Sequence, residues 1–425
     1  MPNRTPFGGA KKELCRVNLC AGKNRTACGT HGSRLRLLPC VLVVFGALLT
    51  GCKTVAKVPT PKGTPMPTEI PVVLIDGKQP AKAAGTGTTP EPAQPSPEET
   101  TPEPTNTPDP YSKTTGRLLT DGKVYQPVLV VIGNAPQTRP QTGLMQADII
   151  YEFSLDRTDN QTRFVALYSD QYPLQVGPVQ DSRCYFSDLQ REWDGMFVFD
   201  GYPDAKGYPA FEEGNVTIPA VYSQDTKHFF LQDRTVSSLP ENTLFCHLDE
   251  MTSALYGKYS PSATNGRFAF TTSIRYAYGK AIEKVGLPFM GSDKAKIEFV
   301  YNGDDNRLYR YERNSKDALV ACKTLTIRED GTIVSEPVSV QNLIVQYVRY
   351  TNLTDTYRGA VLTGTGKCDY FINGQYIAGS WKRESLSEPT QYLLKDGSEL
   401  ILEPGSTWIA MHTGLKDIKI RYAAD

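Results

Sequence analysis

"RFVALYS", residues 163–169, and "ADIIYEF", residues 147–153, are dense in β-branched and aromatic residues, and both are shorter than an ordinary helix. That composition and length predict two strands. "VLVVIG" (128–133) and "GMFVFDG" (195–201) read the same way. Between the strands at 163–169 and 195–201, "RCYFSDLQREW" sets Tyr185, Leu189 and Trp193 four residues apart, on one face of a helix, with Asp181 or Ser182 placed to cap its start. A second helix is expected through "LDEMTSALYGKY" (248–259). Alternating element types predict a mixed α/β domain over residues 116–290.

From about Ala295 the texture changes. "IREDGTIV", "YFINGQYIAGSW" and "YLLKDGSELIL" each put Asp-Gly or Asn-Gly between runs of strand formers, a strong hairpin signal because both turn positions need positive φ. No long helical period interrupts them. The expectation is an α+β chain, its N-terminal mixed α/β domain followed by a mainly antiparallel β domain over 291–425. That second domain is expected to close near "PGSTWIAMH" (404–412), with Trp408 a core or edge aromatic.

The N-terminal part has a different character. "VLVVFGALLTGCK" (41–53) ends an apolar run from Leu37 to Thr50 that is shorter than the roughly 20 residues a membrane-spanning helix needs. Arg34 and Arg36 flank it as in a signal peptide. Leu48-Leu49-Thr50-Gly51-Cys52 resembles a bacterial lipobox, so residues 34–51 are expected to be a lipoprotein signal and Cys52 the lipid attachment point. Residues 1–33 read as an extension from a start assigned too far upstream; their Cys15, Cys20, Cys28 and His31 lack the paired spacing of structural zinc. Residues 52–115 are rich in Pro, Thr, Glu and Gly and carry too few apolar groups to offset the entropy of folding, the composition of a tether.

The full chain balances 46 Lys and Arg against 46 Asp and Glu. Residues 1–51 hold eight of the bases and one of the acids, so their removal leaves 38 against 45, a net charge of −7. That argues against nucleic acid as a partner and against a polybasic hold on lipid. Besides Cys52, the chain beyond the signal keeps Cys184, Cys246, Cys322 and Cys368, which allow three disulfide pairings.

"RPQTGLMQADIIYEF", "TRFVALYS", "VGPVQDSRCYF", "GSWKRES" and "PTQYLLKDGSELILEPGSTWIAM" together resemble the YerB-like family of bacterial surface lipoproteins, a domain of unknown function with its own C-terminal β domain. The resemblance runs over roughly 120–415 and implies a lipid-anchored protein on the outer face of the cytoplasmic membrane, mainly in Gram-positive bacteria, with no established reaction and no cofactor. Three positions depart from the family pattern. A family arginine is Gln180, a histidine-plus-glycine segment reads Asp200-Gly201-Tyr202-Pro203, and a Pro-His-Asn reads Pro240-Glu241-Asn242. Both family histidines are therefore absent.

Glu152, Arg163, Arg183 and Asp200 remain as polar groups at strand ends and a helix start. Such positions converge at the carboxyl edge of a sheet, where ligands bind, and arginine there suits a carboxylate or phosphate. Outside the cell an envelope protein or a peptidoglycan fragment is the expected partner. The competing readings are an internal Glu152–Arg163 salt bridge joining neighbouring strands, and catalysis. For the latter, a Cys/His pair among Cys184, His228, Cys246 and His247 would suit an acyl transferase or hydrolase of the wall. Cys246 and His247 are sequence neighbours and would point to opposite faces of a strand. A solute-binding receptor is a further reading, disfavoured because no two-lobed α/β repeat is present. The sequence shows no HExxH metal motif and no P-loop, and "GTGK" (364–367) reads as a turn.

Overall fold

The expected strands at 128–133, 147–153, 163–169 and 195–201 all form, and they lie in one mixed sheet of 16 strands. The structure, a computed structural model, describes residues 110–119, 125–155, 161–200, 219–221, 227–237, 239–255, 268–289, 296–314, 316–352 and 358–424. The extension, the signal segment, Cys52 and nearly all of the tether lie outside those residues. In chain order the main strands are β1 (Val128–Gly133), β2 (Ile149–Ser154), β3 (Thr162–Tyr168), β4 (Met196–Phe199), β5 (Pro219–Val221), β6 (Lys280–Leu287) and β7 (Ile297–Asn302). They continue with β8 (Arg307–Arg313), β9 (Leu319–Ala321), β10 (Asn342–Tyr347), β11 (Gly364–Ile372), β12 (Gln375–Arg383) and β13 (Thr407–His412). Across the sheet they run β9-β8-β7-β6-β12-β11-β10-β13-β2-β3-β1-β4-β5.

Two expectations need correction. The first half is β-rich rather than a balanced α/β unit: among the described residues there are two α-helices, α1 (Ser187–Trp193) and α2 (Leu248–Leu255). The physical reason lies in the pairing. β3 follows β2 as its antiparallel neighbour, the parallel step from β1 to β2 is made through 3-10 turns at Pro136–Thr138 and Leu144–Gln146 instead of a helix, and α1 lies on the connection from β3 to β4. Second, "TWIAMH" is not an antiparallel strand. As β13 it runs parallel to β10 on one side and to β2 on the other, joining the two halves in one sheet.

Alternate residues of the central strands enter two cores, as the period of two requires. Ile132, Ile150, Phe164 and Trp408 fill one, and Val131, Phe153, Val165 and Ile409 the other. The sheet curls around the first: Phe299 of β7 packs its ring 5.5 Å from Trp408 of β13, although β6, β12, β11 and β10 lie between them in the strand order. Trp408 is thus a core aromatic. Tyr185, Leu189 and Trp193 are all buried in the second core, as their spacing predicts. The helix start differs from expectation, because a 3-10 turn at Cys184–Phe186 leads into α1 and no side chain caps it. The Asp181 carboxylate is occupied elsewhere.

Two of the three hairpins form as read. β11 turns into β12 through Asn373 and Gly374, with φ of 48° and 69°, and Lys323–Ile327 pairs with Ile333–Pro337 around Asp330-Gly331. The third keeps a single bridge, Leu393 with Glu399, because Ile401–Leu402 pairs instead with Ala269–Phe270.

Candidate functional site

Glu152 and Arg163 stand on neighbouring strands but on opposite faces. The register sets Glu152 beside Phe164 and Phe153 beside Arg163, so the salt bridge expected between the two cannot form. Glu152 is fully buried in the first core and meets Arg310 of β8 instead. Its Oε1 accepts hydrogen bonds from Arg310 Nη2 at 2.9 Å and Thr162 Oγ1 at 2.7 Å, and Oε2 accepts from Trp408 Nε1 at 3.1 Å. The Arg310 guanidinium lies 5.5 Å from the Phe164 ring centre and 5.2 Å from that of Trp408, and Nη1 donates to Cys322 Sγ at 3.0 Å. Burial alone would lower the pKa of Arg310, but Glu152, Cys322 and Glu312 together outweigh it and hold the guanidinium above its usual range. Arg310 was not singled out from the sequence. The available signal was its phase: it shares a strand face with buried Leu308, and a cation in phase with a core residue needs a buried partner.

A cleft of about 290 Å³ opens beside this network, where β1 and β6 end and β3 and β7 begin. Asn134 and Thr162 line it and link it to Glu152. Asn134 Nδ2 donates to Thr162 Oγ1 at 2.7 Å, and Asn134 Oδ1 accepts from Arg139 Nε at 3.0 Å. Arg139 forms an ion pair with Glu312 across the cleft wall. Burial, aided by nearby Arg310, lowers the pKa of Arg139 in spite of Glu312. Leu287, Phe289 and Ile297 make the apolar wall, and Lys296 stands exposed at the rim.

At the same end of the sheet Arg163 lies on the other face and Arg183 joins it, and Asp200 follows directly after β4. Asp181 gathers both arginines in ion pairs, and Arg163 Nη2 also donates to Gln180 Oε1 at 2.9 Å. Burial works to raise the Asp181 pKa, but Arg163 and Arg183 overcome it and hold the carboxylate below its usual range. Gln180 donates from Nε2 to Asn242 Oδ1 at 2.9 Å. Asp200 donates its backbone N–H to the Gln180 carbonyl, and burial together with Asp181 raises its carboxyl pKa. The four expected site residues therefore share a sheet end but divide between two faces.

Cys246 is buried, its Sγ 3.9 Å from Met251 Sδ, and burial raises its thiol; His247 is half-buried at the rim of a second, more open depression. His228 is exposed, and burial raises the Cys368 thiol. Cys246, Cys322 and Cys368 are free thiols. Among the described residues no group of three or more His, Cys, Asp or Glu side chains is placed to hold a metal ion. Asp148, just before β2, is a further buried acid. It accepts hydrogen bonds from Thr114 Oγ1 at 2.9 Å and Ser169 Oγ at 2.7 Å, and burial with Asp170 nearby pushes its pKa up to about 7.

Residues 114–259 match the N-terminal domain of a protein family of unknown function, DUF3048, and residues 286–409 match its C-terminal domain. The chain is 29% identical over 303 residues to the "Putative lipoprotein YerB" of Bacillus subtilis (strain 168), covering 69% of this chain and 83% of that protein. A crystal structure of the Bacillus subtilis YerB protein superimposes with a TM-score of 0.59 at 26% identity, covering 73% of this chain and 99% of that one. With both domains present in order and the sheet shared, the chain belongs to the DUF3048 family of YerB.

Proposed function

We propose that the protein is a lipid-anchored, extracytoplasmic binding or scaffolding protein of the bacterial envelope, held at Cys52 and presenting its cleft at the end of a tether. The observation that carries the binding reading is the cleft itself, a partly apolar concavity with a small number of fixed polar groups, the usual composition of a ligand site. In this reading Glu152 acts from beneath, orienting Thr162 and Asn134. The name of the Bacillus subtilis relative supports the anchor, and no helix among the described residues is long and apolar enough to cross a membrane. Burial of Cys246, which raises its thiol pKa, favours binding over thiol chemistry at that residue by a wall-modifying enzyme.

A second place for the same partner is the Asp181 cluster, because the Arg183 side chain keeps 14% exposure and Asp200 is half-buried. Affinity capture from cell envelopes with the full chain separates the two. Gln137→Trp fills the cleft from an exposed position and is expected to abolish capture, whereas Arg183→Ala is expected to retain it. Retention by Gln137→Trp with loss in folded Arg183→Ala would move the site to the Asp181 cluster.

A further inference from the structure

The cleft carries more chemical detail than a general binding role, and its charges are unevenly committed. Arg139 and Glu312 satisfy each other, whereas Lys296 is exposed and makes no ion pair among the described residues. The cleft therefore offers one uncommitted positive charge. Opposite it, Leu287, Phe289 and Ile297 form an apolar wall whose side chains are themselves held in the core. Asn134 and Thr162 spend their hydrogen bonds on Arg139 and Glu152, which leaves the exposed carboxamides of Gln137 and Gln161 to meet an amide group. The volume, about 290 Å³, lies at the small end of ligand sites, roughly 300–1,000 Å³, so a polymer enters only by its end.

Resting on the proposed binding role, we infer that the cleft takes the free carboxylate end of a short peptide. The carboxylate meets Lys296, because Arg139 is already paired with Glu312. The terminal apolar side chain lies on Phe289 and Ile297, and the preceding peptide group is met by Gln137 or Gln161. Two sources share this chemistry, a peptide attached to the wall polymer and a soluble peptide.

The test titrates the full chain with N-acetyl-alanyl-alanine and with its C-terminal amide. The acid is expected to bind at least tenfold tighter than the amide. Lys296→Gln, an exposed change, is expected to bring that ratio close to one without moving the thermal midpoint. Equal binding of acid and amide, or an unchanged ratio in Lys296→Gln, would overturn the inference. Co-sedimentation with purified wall sacculi, competed by the acid dipeptide, assigns the source to the wall; dipeptide binding without co-sedimentation assigns it to soluble peptide, and both keep the carboxylate chemistry. If Gln137→Trp abolishes envelope capture while neither dipeptide binds, the ligand class fails and the cleft stands. If Gln137→Trp leaves capture intact, the cleft reading itself fails.

Discussion

Arg310→Met removes the cation from a deeply buried ion pair, in which the side chains of Arg310 and Glu152 keep 2% and 0% exposure. Removing one partner of such a pair costs about 3–5 kcal/mol, because the other charge stays buried without compensation. Glu152 keeps the Thr162 hydroxyl at 2.7 Å and the Trp408 N–H at 3.1 Å, which favours the lower end. The lost stacking of the guanidinium against Phe164 and Trp408 adds about 1–2 kcal/mol back, so about 3–5 kcal/mol stands. At about 2–4 °C per kcal/mol, and nearer the lower figure for a body this large, the thermal midpoint should fall by about 6–10 °C at pH 7. Guanidinium unfolding read by tryptophan fluorescence supplies the free energy. Glu152→Gln combined with Arg310→Met should recover at least half of the loss, since no charge is then stranded. A single variant within about 1 kcal/mol of the parent, or a double variant that recovers nothing, would refute the assignment.

Other outcomes follow from separate parts of the molecule. Cys52→Ala should abolish incorporation of labelled fatty acid; continued labelling would sink the anchor assignment. Asp148→Asn should gain stability over the parent as pH rises from 4 to 8. The parent's folded-state pKa of about 7 lies above the unfolded value of about 3.9, so the parent loses stability through that window, by about 4 kcal/mol at most at about 1.4 per unit. A pH-independent difference in urea unfolding would contradict this. Gly374→Ala should cost about 2 kcal/mol or more, because φ is 69° and a Cβ would stand 2.5 Å from the Tyr301 ring; Gly397→Ala, at φ 85° with open space around it, should cost only the backbone term of about 1–2 kcal/mol. Equal losses in the two variants would show that the Tyr301 contact is not what constrains the turn.

Local features of the fold were legible and long-range ones were not. Val128–Gly133 forms over the span its composition predicts, the Asn373-Gly374 turn sits where the dipeptide puts it, and the Tyr185, Leu189 and Trp193 face is buried. Each of these rests on a pattern within a dozen residues. The position of β13 was not legible, because all six residues of Thr407–His412 are buried and the run shows no alternation to reveal which neighbours it meets. Its parallel partners lie far away in sequence, and parallel pairing leaves no turn signature. The candidate site followed the same division. Glu152, Arg163, Arg183 and Asp200 were placed at one end of the sheet, but their division between faces depends on a register the sequence does not state. The partner of Glu152 is 158 residues away. Arg139, Lys296 and Glu312, which line the cleft, come together only once the sheet curls.

The central claim, that the cleft beside Arg139 is occupied by an envelope partner, is tested most directly by amine footprinting of the full chain in intact envelopes and after purification, read by mass spectrometry. Lys296 at the cleft rim and Lys395 in a distant exposed turn provide the pair to compare. The account predicts that Lys296 is protected in envelopes and becomes reactive on purification while Lys395 is modified equally in both. Equal modification of Lys296 in the two states would contradict it.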